Sequence, residues 1–305
     1  MTRVIVDRSA GFCGGVRRAI RSAGKLLSDG PTSQQIVSYG QLVHNREVTD
    51  ALAGKGLRSV ASLADVADGD TVVIRTHGIP PEEERLLRSR QVEISDLTCP
   101  RVKRVHLGIQ AKRKEGYRIV VVGDPDHPEV KGLLGYAGSS GVVVCTAKEA
   151  RNYTDRRKIA VFAQTTITPQ LFTEVVQVFE KKGLEMTVTT TLCPFVVNRQ
   201  RWIGRFSRLA DASLIVGGKN SSNTRKLYAI ASRNGPAFHL SEASELNLEE
   251  ILKYPLVALT AGASTSDSTI QEVLAALQAA GAVIEQPYRR TTVLPNPPCS
   301  GVEKK

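Results

Sequence analysis

The feature that most constrains the fold is a pattern that occurs three times. Cys13, Cys99 and Cys193 lie 86 and 94 residues apart, and the chain around each reads alike. Each follows a β-branched run, at 3–7, 92–97 and 186–192, and each precedes a basic stretch with helical periodicity. Runs rich in Val, Ile and Thr followed by a 3.6-residue period are the signature of β-α units. Each cysteine is therefore expected where a strand ends and a helix begins. About thirty residues further on, IVSYGQLVHNREV, IVVVGDPDHPEVKG and SLIVGGKNSSNTRKL repeat strand, glycine turn, polar cluster and helix. They carry His44, then His127 and Glu129, then Ser221, Ser222 and Asn223. After shorter strands near Val60, Val144 and Phe238 come VVIRTHGIPPEEE, IAVFAQTTITPQL and LVALTAGASTSDST, with His77, then Thr165 and Thr166, then Ser264.

This order predicts an α/β protein of three units related by pseudo-threefold symmetry, at 1–98, 99–192 and 193–284, each with about four strands. Residues 285–305 carry four prolines and no periodicity and read as a C-terminal tail. Ligands of parallel sheets bind outside the carboxyl ends of the strands. Three such units around one axis would gather three thiols and three sets of polar loops at one centre. The alternative is an ordinary α/β chain whose strand-end polar residues only cap helices. Nine loops in the same order in three copies disfavour it.

Three converging thiolates can hold zinc or an iron–sulfur cluster. Structural zinc wants four protein ligands, and a [4Fe–4S] cluster ordinarily takes four cysteines, so three leave a position open for substrate. Without the repeated setting, the same cysteines would read as buried small hydrophobes. Cys145, inside VVVC, reads that way, and Cys299 in the tail has no assigned role. Five cysteines without CxxC spacing argue against a disulfide framework or a zinc ribbon and for reduced thiols in the cytoplasm. No apolar run approaches the roughly 18 residues of a membrane span, and the first residues lack a secretory signal. The polar clusters fit an anion, since small residues at helix starts expose N–H groups and His44 and His77 add donors. Helix capping alone would use the same residues. A carboxyl enclosed at Glu129 could deliver protons. His106 and His239 read as surface or satisfied core residues.

Charge points to anionic partners: 41 basic against 30 acidic side chains gives +11. The helices after the cysteines carry Arg17, Arg18, Arg21 and Lys25, then Arg101, Lys103, Arg104 and Lys112, then Arg199, Arg201, Arg205 and Arg208. They read as a solvated face or as a landing surface for an acidic electron donor. A nucleic-acid-binding protein is the rival from another class. Aromatic content of 5% and the lack of an RRM, KH, zinc-finger or obvious helix-turn-helix signature weigh against it.

In order, GFCGGVRRAI, YGQLVHNREV, RTHGIPP, DLTCPRVKRVH, HPEVKG, AQTT, NRQ, KNSSN and AGAS resemble the 4-hydroxy-3-methylbut-2-enyl diphosphate reductase (LytB/IspH) family, from about residue 4 to 284. The resemblance implies a trefoil of three α/β domains around a central [4Fe–4S] cluster. Cys13, Cys99 and Cys193 would hold it, leaving one iron without a protein ligand. It implies a cytoplasmic iron–sulfur oxidoreductase that ends the non-mevalonate isoprenoid pathway. Two electrons, from ferredoxin or flavodoxin, and two protons would expel water from the allylic diphosphate, giving isopentenyl and dimethylallyl diphosphate. Glu129 would be the proton source, helped by Thr165 and His127. His44, His77, Asn198, Ser221, Ser222, Asn223 and Ser264 would bind substrate, with Thr166 lining the site. No nucleic acid and no membrane is implied as a partner. The family usually reads C-x-A-T-x-N-R-Q after the third cysteine, whereas this chain has Val196 at the threonine position. That departure keeps a second expectation open: an iron–sulfur paralogue acting on another anionic substrate.

Overall fold

The computed structural model describes residues 1–29 and 35–285. The chain begins with β1 (Arg3–Val6), α1 (Gly14–Asp29), β2 (Ile36–Tyr39), α2 (Arg46–Ala53), β3 (Leu57–Val60), β4 (Thr71–Ile74), α3 (Pro81–Arg88) and β5 (Glu93–Asp96). It continues with α4 (Pro100–Lys114), β6 (Arg118–Val122), α5 (Pro128–Ala137), β7 (Gly141–Val144), α6 (Ala147–Asn152), β8 (Ile159–Ala163), α7 (Pro169–Lys181) and β9 (Met186–Val188). The last third holds α8 (Pro194–Phe206), β10 (Ala212–Val216), α9 (Ser222–Ala231), β11 (Ala237–Leu240), α10 (Leu248–Ile251), β12 (Leu256–Ala261), α11 (Asp267–Ala279) and β13 (Val283–Glu285).

These strands form three parallel sheets with one plan: β3-β2-β4-β5, β7-β6-β8-β9 and β11-β10-β12-β1-β13. Residue alternation explains how each sheet is covered on both faces. In the second sheet, Val120, Val122 and Val161 pack with Phe172, Val175 and Phe179 of α7. Their neighbours Ile119, Val121 and Phe162 turn to the other face, against Val105 and Ile109 of α4 and Val130 and Leu133 of α5. The fold is the expected threefold α/β trefoil.

One boundary differs. Division at residue 98 puts Arg3–Val6 in the first unit, but β1 pairs with β12 and β13 in the third sheet. The reason lies in the common plan. Each sheet takes as its fourth strand the one that leads to a cysteine: β5 before Cys99, β9 before Cys193, β1 before Cys13. The first strand of the chain thus completes the last sheet and closes the ring. Glu285 ends β13 rather than opening a tail. The rest of the tail, with Cys299, lies outside the described residues.

Candidate active site

The three cysteines occupy equivalent places. Cys99 and Cys193 stand in the N-cap positions of α4 and α8, each followed by proline, which suits the first helical position, and Cys13 directly precedes α1. Each backbone N–H is tied to a loop that follows a third strand: Cys13 to Ala263 O at 3.0 Å, Cys99 to Thr76 O at 3.0 Å and Cys193 to Thr165 O at 2.9 Å. Neither Cys99 nor Cys193 makes a side-chain capping bond. The sulfurs turn to one another instead. A Cβ added at Gly15 would lie 3.0 Å from Cys99 Sγ and 3.8 Å from Cys13 Sγ, and Cys13 is close enough for its charge to act on Cys193. All three are half-buried free thiols. Burial pushes the Cys193 thiol up, while the nearby N–H groups of Val196 and Phe195 and the Arg101 guanidinium pull it down. Three thiols at three helix starts, with glycine keeping the space beside them open, fit a soft metal or an iron–sulfur cluster. Cys145 does not join them. It is half-buried at the end of β7 rather than packed in a core, and burial and Glu149 raise its thiol to about 11. A strand-end position leaves it only one covered side.

The loops that hold the cysteine backbones, and those after β2, β6 and β10, carry the polar residues. His44, His77 and His127 come from the turns after β2, β4 and β6, and their ring nitrogens lie within 4.8 Å of one another. Burial lowers the pKa of all three, His127 to about 4. His77 is half-buried. His127 Nδ1 accepts from Glu129 N–H at 3.1 Å, which leaves Nε2 as the protonated nitrogen of the neutral ring. His44 Nδ1 and His77 Nδ1 are buried with no partner among the described residues. Three imidazoles could ligate a metal cation. Arg75, Arg225 and Lys226 all depress one or more of the rings, however, and that field repels a cation and draws an anion.

The third unit adds a helix start. Ser221 caps α9, and Ser222, Asn223 and Thr224 follow, each at most 5% exposed. Asn223 has neither amide atom paired, and Thr224 Oγ1 is also unpartnered. A fully buried carboxamide with no partner is costly unless a ligand meets it. The α9 N-terminus supplies N–H groups and a positive dipole end at the same place. Ser264 O accepts from Asn45 Nδ2 at 2.8 Å and Ser264 Oγ donates to His44 O at 3.2 Å, joining the first and third units at the cavity.

Glu129 is the buried carboxyl, 2% exposed. It accepts from Thr165 N–H at 2.6 Å and from Thr165 Oγ1 at 2.8 Å. Burial raises its pKa, outweighing Thr165 and the attraction of Lys226. Thr166 Oγ1 accepts from Gln164 Nε2 at 3.0 Å, and Thr166 O accepts from Gln200 Nε2 at 3.2 Å.

The expected residues thus converge, with exceptions. Asn198 is exposed on α8, half a helical turn from the buried face of Val196, Arg199, Gln200 and Ile203, so helical phase turns it away. Arg199, expected on the solvated face, is buried. His239 is satisfied by Gly217 O at 2.9 Å, whereas His106 is buried against Tyr136 with Nε2 unpartnered. Lys226 escaped the sequence reading. Its Nζ donates to Ser222 Oγ at 3.0 Å, an i,i+4 relation that the spacing contains. Arg75, beside the histidines, has no such sequence signal.

Fold and site define a class: a three-unit α/β protein whose strand-end loops gather histidines, hydroxyls and a buried carboxyl around three helix-start thiols. Comparison with known proteins narrows it. A family model described as LytB protein matches residues 4–278. The chain is 36% identical over 282 residues to the 4-hydroxy-3-methylbut-2-enyl diphosphate reductase of Aquifex aeolicus, covering 91% of this chain and 96% of that protein. It is 38% identical over 268 residues to the protein of the same name from Oleidesulfovibrio alaskensis, covering 87% and 95%. The solved structure of the E-1-hydroxy-2-methyl-but-2-enyl-4-diphosphate reductase from Plasmodium falciparum superposes with a TM-score of 0.89 at 26% identity, covering 96% of this chain and 94% of that one. The chain belongs to the LytB protein family.

Proposed function

We propose that this protein reduces 4-hydroxy-3-methylbut-2-enyl diphosphate to isopentenyl and dimethylallyl diphosphate, the last step of the non-mevalonate pathway. Two electrons and two protons enter, the allylic C–O bond breaks, and water leaves. A [4Fe–4S] cluster on Cys13, Cys99 and Cys193, with one iron free of protein ligands, supplies electrons and a Lewis-acid site when bound. The chain's own residues do the rest. His44, His77, Ser221, Ser222, Asn223 and Ser264 hold the diphosphate; the Nδ1 atoms of His44 and His77 and the Asn223 amide are otherwise unpaired among the described residues. Fixing that end positions the distal hydroxyl near the thiols, so that binding energy serves the reaction. Glu129 holds the proton for the leaving oxygen. Its raised pKa keeps the acid form available, and Thr165 fixes its orientation. His127 Nε2–H is a second donor on the same wall.

Electrons come from a ferredoxin or flavodoxin in the cytoplasm. No described helix is long and apolar enough to cross a membrane. The exposed basic residues of α4 and α8 suit an acidic donor. Arg101 lies over the exposed Phe195 ring at 5.7 Å, each two residues past its cysteine, Cys99 and Cys193. The observation that carries the reading is the meeting of a buried carboxyl, three neutral histidines and three open thiols in loops tied together by hydrogen bonds. Buried Val196 beside Cys193 is what favours the second reading, a paralogue with an altered anionic substrate. Relative turnover on several allylic diphosphates separates the two.

Anaerobic purification with iron and sulfide counts and a visible spectrum tests the proposal, repeated on Cys99→Ala. Wild type should be brown with about four iron atoms per chain, and Cys99→Ala should lose most of them. A wild-type protein that stays colourless and iron-free after reconstitution overturns it.

A further inference from the structure

Arg199 is the buried basic residue of α8, at 2% exposure, while Arg201 and Arg205 face solvent. Nη2 donates to Gly11 O at 2.5 Å and so holds the loop that delivers Cys13. Nε and Nη1 are buried and have no partner among the described residues. A guanidinium does not shed its proton in proteins, so this is a permanent charge with two unsatisfied donors. Burial on those terms is costly, and such groups are retained where an opposite charge meets them.

Two kinds of negative group lie near enough to act on it. Asp7 is the stronger, yet its oxygens bond elsewhere and leave the guanidinium donors unmet. Oδ1 accepts from Ser9 N–H and Oγ, and Oδ2 accepts from Thr260 Oγ1, each at 2.8 Å. The others are Cys13 and Cys193. Arg17 opposes from outside and is itself held by Asp267 at 2.9 Å. Arg199 therefore ties the helix that starts at Cys193 to the loop that delivers Cys13, fixed by one bond and offering two free donors.

We propose that Arg199 is the counter-charge of the thiol centre: its guanidinium balances the negative charge of the sulfurs and of the cluster they bind, and so raises the reduction potential. The step concerned is a one-electron transfer in which the redox donor is oxidised and the cluster reduced, with no bond made or broken. Each added electron makes the centre one unit more negative, and a fixed cation in a low-dielectric setting favours that form. This rests on the cluster reading above.

The test is a spectroelectrochemical redox titration of reconstituted wild type, Arg199→Lys and Arg199→Gln, with iron content and far-UV circular dichroism measured alongside. Arg199→Gln should disfavour reduction at least tenfold, a shift of about 59 mV to more negative potential for one electron. Arg199→Lys, which keeps the charge, should stay within threefold of wild type. A folded Gln variant that loses the cluster while the Lys variant keeps it also supports the counter-charge. An unchanged Gln variant, or Lys and Gln variants shifted alike or both without cluster, overturns it. If the Gln variant does not fold, a tenfold negative shift in the Lys variant overturns the proposal and a shift within threefold supports it. A wild type that binds no iron would instead defeat the cluster reading itself.

Discussion

Replacing Glu129 by Gln separates proton delivery from architecture. The carboxyl is 2% exposed and meets Thr165 at 2.6 and 2.8 Å. Glutamine keeps the shape. Its carbonyl oxygen accepts from Thr165 N–H, and the Thr165 hydroxyl rotates to accept from its amide. Folding should not suffer. The raised pKa of Glu129 means that from pH 4.5 upward the native state holds a proton that the unfolded chain releases. Stability contributed by this group therefore falls as pH rises through that window. Above its raised pKa wild type carries the cost of a buried carboxylate and Glu129→Gln does not, so the variant should melt no lower than wild type and gain on it as pH rises above 4.5. Turnover should behave oppositely. Loss of a positioned general acid costs about 10²- to 10⁴-fold, or about 3–5 kcal/mol of barrier. The assay is steady-state turnover at pH 7 with a viologen reductant, with iron content and melting temperature measured on the same samples. KM should stay within about threefold, because the diphosphate is held by other residues. Turnover within tenfold of wild type in a folded, iron-loaded variant would refute the role of Glu129.

Three further outcomes follow from the site. Val196→Thr should raise turnover on 4-hydroxy-3-methylbut-2-enyl diphosphate, since it returns a hydroxyl to a wall where polar partners count for about 1–3 kcal/mol; unchanged or lower turnover means Val196 is no deficit. Donor-dependent turnover should weaken as ionic strength rises while viologen-driven turnover stays level, because the basic surface around half-buried Arg101 includes the exposed Arg104, Arg201 and Arg205. A donor KM insensitive to salt removes that surface as the landing site. Burial pushes the Lys226 ammonium down to about 8 from 10.5, against the pull of Glu129 and Asp124. Its charge is a cost fully present below pH 8 that disappears as pH rises to 10.5. Lys226→Met should therefore be more stable than wild type at pH 7, by up to about 3 kcal/mol, and lose that advantage by pH 10.5. A pH-independent difference in melting temperature would contradict this.

Much of this molecule was legible because its chemistry repeats. Cys13, Cys99 and Cys193 announced three strand-to-helix junctions, and the loops between them kept their order, so strands, helices and site loops fell where the pattern put them. What repetition hides is partnership. Nothing local in RVIV says that β1 joins β12, since the run would suit any parallel sheet. Helical phase was equally silent for NRQ: Asn198 faces out while Arg199 and Gln200 face in, because a 100° step separates neighbours that read as one motif. Lys226 was missed because a lysine after a serine-rich helix start reads as a surface residue until its Nζ is found on Ser222.

The pairing of Arg3 with Leu256 has a consequence for biogenesis. β1 finds this sheet partner only after the distant segment that carries β12 has been translated. Until then the third lobe lacks an inner strand, and the thiol beyond β1 has no Ala263 carbonyl to hold it. A nascent chain stalled before residue 256 therefore has partners for the Cys99 and Cys193 backbones in Thr76 and Thr165, while Cys13 still lacks its own.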